Sequence, residues 1–231
     1  MFKYFFFLLS KYFIYYNCVI IIGDFMANYD DQYEVQKLNY KSLNGFSEKQ
    51  ISFHHDIHYA GYVKKRNEVH SKLKTVDKAA ANANYSEFRS LKKEETFNAS
   101  GQLLHELYFE MFGGDGKYSE DMPLIKKINE DFGSFENFKL DMMATAKAAR
   151  GWAILAIDPT DNKLRTFLAD VHNDGAVWGS IPIIALDVYE HAFYVDYGPD
   201  KAKYLEPFFN NLNWKKLNER YSKFQNVYKK Q

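Results

Sequence analysis

The sequence predicts an α+β protein: an N-terminal domain built as a long-helix hairpin, then a mixed C-terminal domain with a three-stranded antiparallel sheet flanked by helices. Three observations carry that expectation. Residues 47–75 and 85–112 are long runs interrupted only by Gly61 and Gly101, as long helices require. At Trp152 the pattern changes, and Trp152–Asp158 and Lys163–Ala169, joined through Pro159–Asn162, read as two strands of a hairpin. The apolar run Ile181–Leu186 supplies a third strand that delivers Asp187 at its end.

Taken in order, the chain opens with an apolar segment, 4–22, interrupted by Ser10, Lys11 and Asn17. Its Phe, Leu, Ile and Val side chains favour membrane insertion by roughly 3 to 6 kcal/mol, which Lys11 (about 2.5 to 3.5 kcal/mol at a helix centre) and Asn17 largely cancel. Insertion is marginal, the cleavage site that follows is poor, and Met26 offers an alternative start. Residues 1–28 are therefore expected to be an extension (anchor, signal or mis-assigned start), 29–115 the helical-hairpin domain and 116–231 the α/β C-terminal domain. Ser47 and Gln50 have capping-box spacing, so the first long helix is expected to open there. The second starts at Ser86 and stops at Gly113-Gly114, which lead into a linker, Asp115 to Pro123. Leu124–Asp131 and Ser134–Arg150 read as helices before the sheet, and Ala202–Tyr228 as an aromatic helical stretch after it.

Lys plus Arg and Asp plus Glu both total 30, so no global basic field points to a nucleic-acid partner. Aromatic residues make up 18%, which implies a ring-rich core or interface. Cys18 is the only cysteine. The body therefore has neither an intramolecular disulfide nor a thiolate metal site, and any metal ligands have to be His, Asp or Glu.

Candidate ligands of those types stand in apolar surroundings. Asp187 and His191 are four residues apart, a spacing that on a helix stacks both side chains on one face. His54, His58 and Tyr62 fall at i, i+4 and i+8, and His105 lies in the second long run. Such pairs also arise by chance on helices. Two histidines from separate helices together with an Asp/His pair from a strand end would form a three-nitrogen, one-oxygen set suited to iron, manganese or zinc.

The chain from about Tyr33 to Tyr221 resembles the iron/manganese superoxide dismutase family. The resemblance lies in Phe53-His54-His55-Asp56-Ile57-His58-Tyr59-Ala60-Gly61-Tyr62-Val63, Leu104-His105-Glu106-Leu107-Tyr108-Phe109, Phe132-Gly133-Ser134-Phe135-Glu136-Asn137-Phe138-Lys139, Gly151-Trp152-Ala153, Leu186-Asp187-Val188-Tyr189-Glu190-His191-Ala192-Phe193-Tyr194 and Asn213-Trp214. It implies dismutation of superoxide to oxygen and hydrogen peroxide at a single Fe or Mn ion held by His54, His105, Asp187 and His191. It further implies that His58 and Tyr62 gate the mouth, that Trp152 lies near the metal, and that Glu190 reaches the partner subunit's His191 in a homodimer, which could pair into a tetramer. Three neutral imidazoles, one carboxylate and one hydroxide around a trivalent ion leave a net charge of about +1, which attracts a small anion.

The chain departs from the family pattern where a glutamine usually donates to the solvent on the metal. Gly101 and the His172-Asn173 pair stand at those places, and His172 is the expected replacement donor, with Asn173 and Gln102 behind it. Tyr189 and Ile154 replace tryptophans, which implies a less ring-filled pocket, and Lys201 replaces an arginine, keeping charge without the planar fork. His55 reads as a surface or interface histidine, His70 as solvated, and Lys92-Lys93-Glu94-Glu95 as an exposed face. The competing readings are a non-catalytic metal-binding member of the same fold, tethered to a membrane through residues 4–22, and a non-haem iron oxygenase with two His and one carboxylate. The cytoplasm is the expected location, with anchoring or export through the N-terminal segment as the alternative.

Overall fold

The computed structural model describes Tyr29 and residues 32–228, together with the backbone of a two-residue antiparallel pair, β1 (Ile14–Tyr15) and β2 (Cys18–Val19). The rest of segment 4–22 and the alternative start at Met26 lie outside the described residues. Among the described residues no helix is long and apolar enough to cross a membrane.

The first long helix runs in three pieces: α1 (Glu48–Ser52), a π-helical turn (Phe53–Tyr59) and α2 (Ala60–Thr75). Ser47 caps α1 by accepting from Gln50 N at 3.1 Å, as the spacing predicts. The reciprocal half of the capping box does not form. Ser47 N donates instead to Asp196 Oδ2 at 2.7 Å, and the Gln50 side chain is engaged elsewhere. The partner helix of the hairpin, α3 (Glu87–Glu110), is capped by Ser86, whose hydroxyl accepts from Arg89 N.

Two histidines differ from the sequence expectation. His55 and His70 are both buried, because the segment entering α1 lies across the hairpin and covers them. His55 Nε2 meets Gln36 O at 2.8 Å, and the rings of Tyr29 and Tyr33 pack on His70 at 4.9 and 5.6 Å. Asn67 fastens that segment by exchanging hydrogen bonds with the Tyr33 backbone, both at 2.9 Å.

In the C-terminal half, α4 (Pro123–Phe132) starts on a proline, and α5 (Phe135–Ala148) is capped by Ser134. The sheet has the order β4-β3-β5, all antiparallel, with β3 (Trp152–Ile157) central, β4 (Leu164–Ala169) and β5 (Ile181–Asp187). Every residue of β3 is buried, which explains why its sequence is continuously apolar. The register pairs Trp152 with Asp187, so the start of β3 and the end of β5 meet at one corner. After the sheet and a short helix, α6 (Tyr194–Tyr197), the helical stretch is two helices, α7 (Lys201–Asn210) and α8 (Trp214–Phe224). They break where Asn213 N donates to Met111 O at 2.7 Å and the Asn213 side chain caps Lys216 N. Rings from both halves, including Phe46, Tyr59, Tyr108, Trp152, Tyr204 and Trp214, share one core.

The connection from β4 to β5 folds back over the end of β4 and carries His172. Gly175 makes this possible: its φ is +80°, and a Cβ there would lie 2.0 Å from Leu168 O. Gly175→Ala is expected to lower the stability of the metal-free protein by at least about 1 to 3 kcal/mol, since both the backbone conformation and the close approach become strained. The urea midpoint checks this, and an unchanged midpoint would show that the loop has another conformation available.

Candidate metal centre

Four side chains from four separate pieces of structure converge. His54 comes from the π-helical turn, His105 from α3, Asp187 from the last position of β5, and His191 from a short 3₁₀ helix (Glu190–Ala192). One ligand atom from each lies within 4.8 Å of all the others. Asp187 and His191 are thus not on one helix face, as their spacing suggests; the strand ends, the chain turns at Val188-Tyr189, and the next turn brings His191 back.

Asp187 is the hub. Its Oδ2 is 3.0 Å from His191 Nε2, 3.1 Å from His54 Nε2 and 3.4 Å from His105 Nε2. Its Oδ1 accepts from Tyr189 N at 2.9 Å, and its carbonyl from the Tyr204 hydroxyl at 2.7 Å, which holds the strand end from the side of α7. Burial pushes the Asp187 carboxyl up, but the facing His191 and His54 outweigh it, and the group stays well below the usual carboxylate range.

Two of the imidazoles, His54 and His105, are held neutral by burial. Burial lowers His54 from 6.5 to about 4 and drives His105 well down. His105 Nδ1 lies 2.6 Å from Gly101 O, which can only accept, so Nδ1 carries the proton. Its Nε2 therefore presents a bare lone pair, buried and without a hydrogen-bond partner among the described residues. Three imidazole nitrogens and one ionised carboxylate oxygen, with no thiolate, are donors that fit iron or manganese.

Around this group the other predicted residues take definite places. His58 stacks on His191, ring centroids 4.3 Å apart and 17° from parallel. Tyr62 is half-buried, 5.1 Å from His105 and 4.5 Å from His172, and burial raises its phenol well above 10. His172 is buried, and its Nδ1 accepts from Trp152 Nε1 at 2.9 Å. Because indole N–H can only donate, the neutral His172 ring carries its proton on Nε2, an atom that is buried and unpartnered among the described residues. Gly101 leaves the room that His172 and Tyr62 fill: a Cβ at 101 would lie 3.0 Å from the Tyr62 ring and 3.3 Å from that of His172.

The alternative donors are occupied elsewhere. Gln102 joins Arg66 and Glu106, and Asn173 donates to Thr96. Tyr189 fills more of the pocket than expected, since its ring stacks on His191 at 5.3 Å and its hydroxyl reaches Asp170 O. Ile154 is buried within β3. The Lys201 ammonium donates to Ala149 O and Lys147 O. Glu190 is exposed, beside His191.

The comparisons with known proteins agree with this geometry. Residues 32–113 match the description of iron/manganese superoxide dismutases, alpha-hairpin domain, and residues 120–220 match iron/manganese superoxide dismutases, C-terminal domain. The chain belongs to the iron/manganese superoxide dismutase family. It is 45% identical over 191 residues to superoxide dismutase [Fe] of Aquifex aeolicus, covering 81% of this chain and 90% of that protein, with the same figures for Aquifex pyrophilus. It is 38% identical over 177 residues to superoxide dismutase [Mn] of Haloarcula marismortui, covering 77% and 86%. As a superoxide dismutase the protein converts superoxide to oxygen and hydrogen peroxide, at a site for iron or manganese.

Sequence reasoning missed Gln50, Tyr204 and the tautomer-setting role of Trp152 in this dismutase. Gln50 reads as half of a cap and Tyr204 as one ring among many, and neither carries a local signal of its contact with the site.

The buried histidines give the metal-free protein a defined acid sensitivity. Burial holds both His54 and His172 at about 4 instead of 6.5, so the unfolded chain takes up these protons before the folded one can. Stability is full above about 6.5 and falls as pH drops toward 4. The urea midpoint of the metal-free protein is expected to decline across that window, and less steeply in His172→Gln. A flat profile would contradict the burial of these rings.

Proposed function

We propose that dismutation takes place at an ion held by His54, His105, Asp187 and His191, with His58 and Tyr62 at the mouth, His172 donating toward solvent at the ion, and Glu190 bridging two subunits. The observation that carries this reading is the convergence of four donor atoms within 4.8 Å, one of them a buried lone pair on His105 with no hydrogen-bond partner among the described residues. An ion there supplies a one-electron couple, so that two superoxide anions and two protons become oxygen and hydrogen peroxide. Asp187 and the three imidazoles would hold the ion. Tyr62 keeps its phenolic proton at any ordinary pH and offers it as a donor. His172 Nε2–H is the second donor, its orientation set by Trp152. The relatives named for iron stand at 45% identity and the Haloarcula one named for manganese at 38%, so iron is the expected occupant; the metal content of the purified protein tests it.

Asp187→Ala and His105→Ala are expected to abolish metal retention, because three remaining ligands leave the site too open. His172→Ala is expected to keep the metal and lose most turnover, measured as superoxide consumed against hydrogen peroxide formed. A hydrogen bond to a charged or metal-polarised group contributes about 1.5 to 3 kcal/mol, enough to move a one-electron potential by roughly 60 to 130 mV. Full activity in that variant would remove His172 from the mechanism, and full metal occupancy in either ligand variant would remove the ligand assignment.

The dimer reading is supported by exposed apolar side chains close in sequence to the site residues, Phe53, Ile57, Tyr194 and Val195, and by the exposure of Glu190. Glu190→Ala is expected to weaken self-association and loosen the metal together. Sedimentation at low concentration and metal content check this, and a variant that stays dimeric with its metal would refute the bridge. The cytoplasm is the location we propose, with a membrane role only if residues 4–22 are retained.

A further inference from the structure

The backbone that carries His191 is held in an interrupted helix. The 3₁₀ turn Glu190–Ala192 and the short helix α6 (Tyr194–Tyr197) are separated at Phe193, whose φ and ψ are −143° and −17°. In a continuous α-helix the N–H of Val195 would bond to the C=O of His191, four residues earlier. Here a side chain from the other half of the protein stands between them. Gln50 Nε2 donates to His191 O at 2.6 Å, and Val195 N donates to Gln50 Oε1 at 3.1 Å. The carboxamide thus satisfies both backbone groups at once, and Gln50 is only 1% exposed. Next to it Ser47 N is anchored on Asp196 Oδ2, so the first turn of α1 grips the whole segment.

We propose that Gln50 is a positioning residue of the dismutase: its carboxamide holds the 191–195 turn open and thereby fixes the direction in which the His191 imidazole faces Asp187. Without the amide, His191 O and Val195 N would both lose their partner, and the pairing their i, i+4 spacing offers is the α-helical bond between them. Pairing them makes one continuous helix of the segment, and the His191 side chain turns with its backbone away from Asp187 Oδ2. Nothing else among the described residues replaces the two contacts. The inference rests on His191 being a metal ligand.

The test uses the metal-loaded protein and four variants. Gln50→Met keeps length and volume without the amide. Gln50→Glu keeps an acceptor for Val195 N but loses the donor to His191 O. Ser47→Ala weakens the cap of α1 without touching the Gln50 side chain, and His191→Ala removes the ligand itself. Metal release to a chelator and the visible absorption of the oxidised metal are recorded for each. Gln50→Met and Gln50→Glu are expected to release metal about ten- to a hundredfold faster than the parent, with a shifted absorption band, while Ser47→Ala retains the parent's rate and spectrum. Should Gln50→Met fail to fold, Gln50→Glu carries the same comparison. Parental release and spectrum in the Gln50 variants, or equal acceleration by Ser47→Ala, would overturn the proposal. Full metal retention by His191→Ala would instead overturn the ligand reading beneath it.

Discussion

A buried carboxylate facing two buried imidazoles and a third that is partly buried is the constraint around which this fold is arranged. Asp187 is fully buried, and an ionised carboxylate in such a place has to be paired. Its Oδ2 lies within 3.4 Å of each of three histidine nitrogens. Two of these histidines come from the helical hairpin and one from beyond the sheet, so the two halves cannot separate without exposing the carboxylate. The supports follow from this. The β3·β5 register sets Asp187 at the sheet corner, Tyr189 N satisfies Oδ1, and the Tyr204 hydroxyl holds the carbonyl.

The long helices, the sheet and their order were legible in the sequence because each rests on local chemistry. Ser47, Ser86 and Ser134 do cap the helices they precede, and the all-apolar run of β3 is a strand covered on both faces. What could not be read locally is what depends on distant chain. His55 and His70 look like surface residues until residues 29–36 are laid over them. The spacing of Asp187 and His191 fits a helix and also fits the strand end followed by a 3₁₀ turn, and only the sheet register decides between them. The four clustered side chains were legible as residue types, and their grouping came from the family resemblance rather than from spacing.

Gly101, Tyr62 and His172 illustrate how one vacant Cβ can be filled from elsewhere in the chain. A side chain at 101 would press on the Tyr62 ring, so the volume over His105 belongs to whichever residue reaches it from the β4–β5 connection. His172 reaches it, and Trp152 sets its tautomer. A buried N–H beside His105 is therefore supplied by the C-terminal half, although His105 itself lies in the hairpin.

The π-helical turn at Phe53–Tyr59 makes the number of residues in this segment, and not only their identity, a structural constraint. A π turn holds one residue more than an α-helical turn would. Losing a residue there would restore an ordinary α-helix and rotate everything before it by about 100° relative to α2. His58 and Tyr62 would stay in place, while Ser47 and Gln50 would swing away from Asp196 and His191. The length of this segment is therefore bound to the geometry of His191, more than a hundred residues away in the chain.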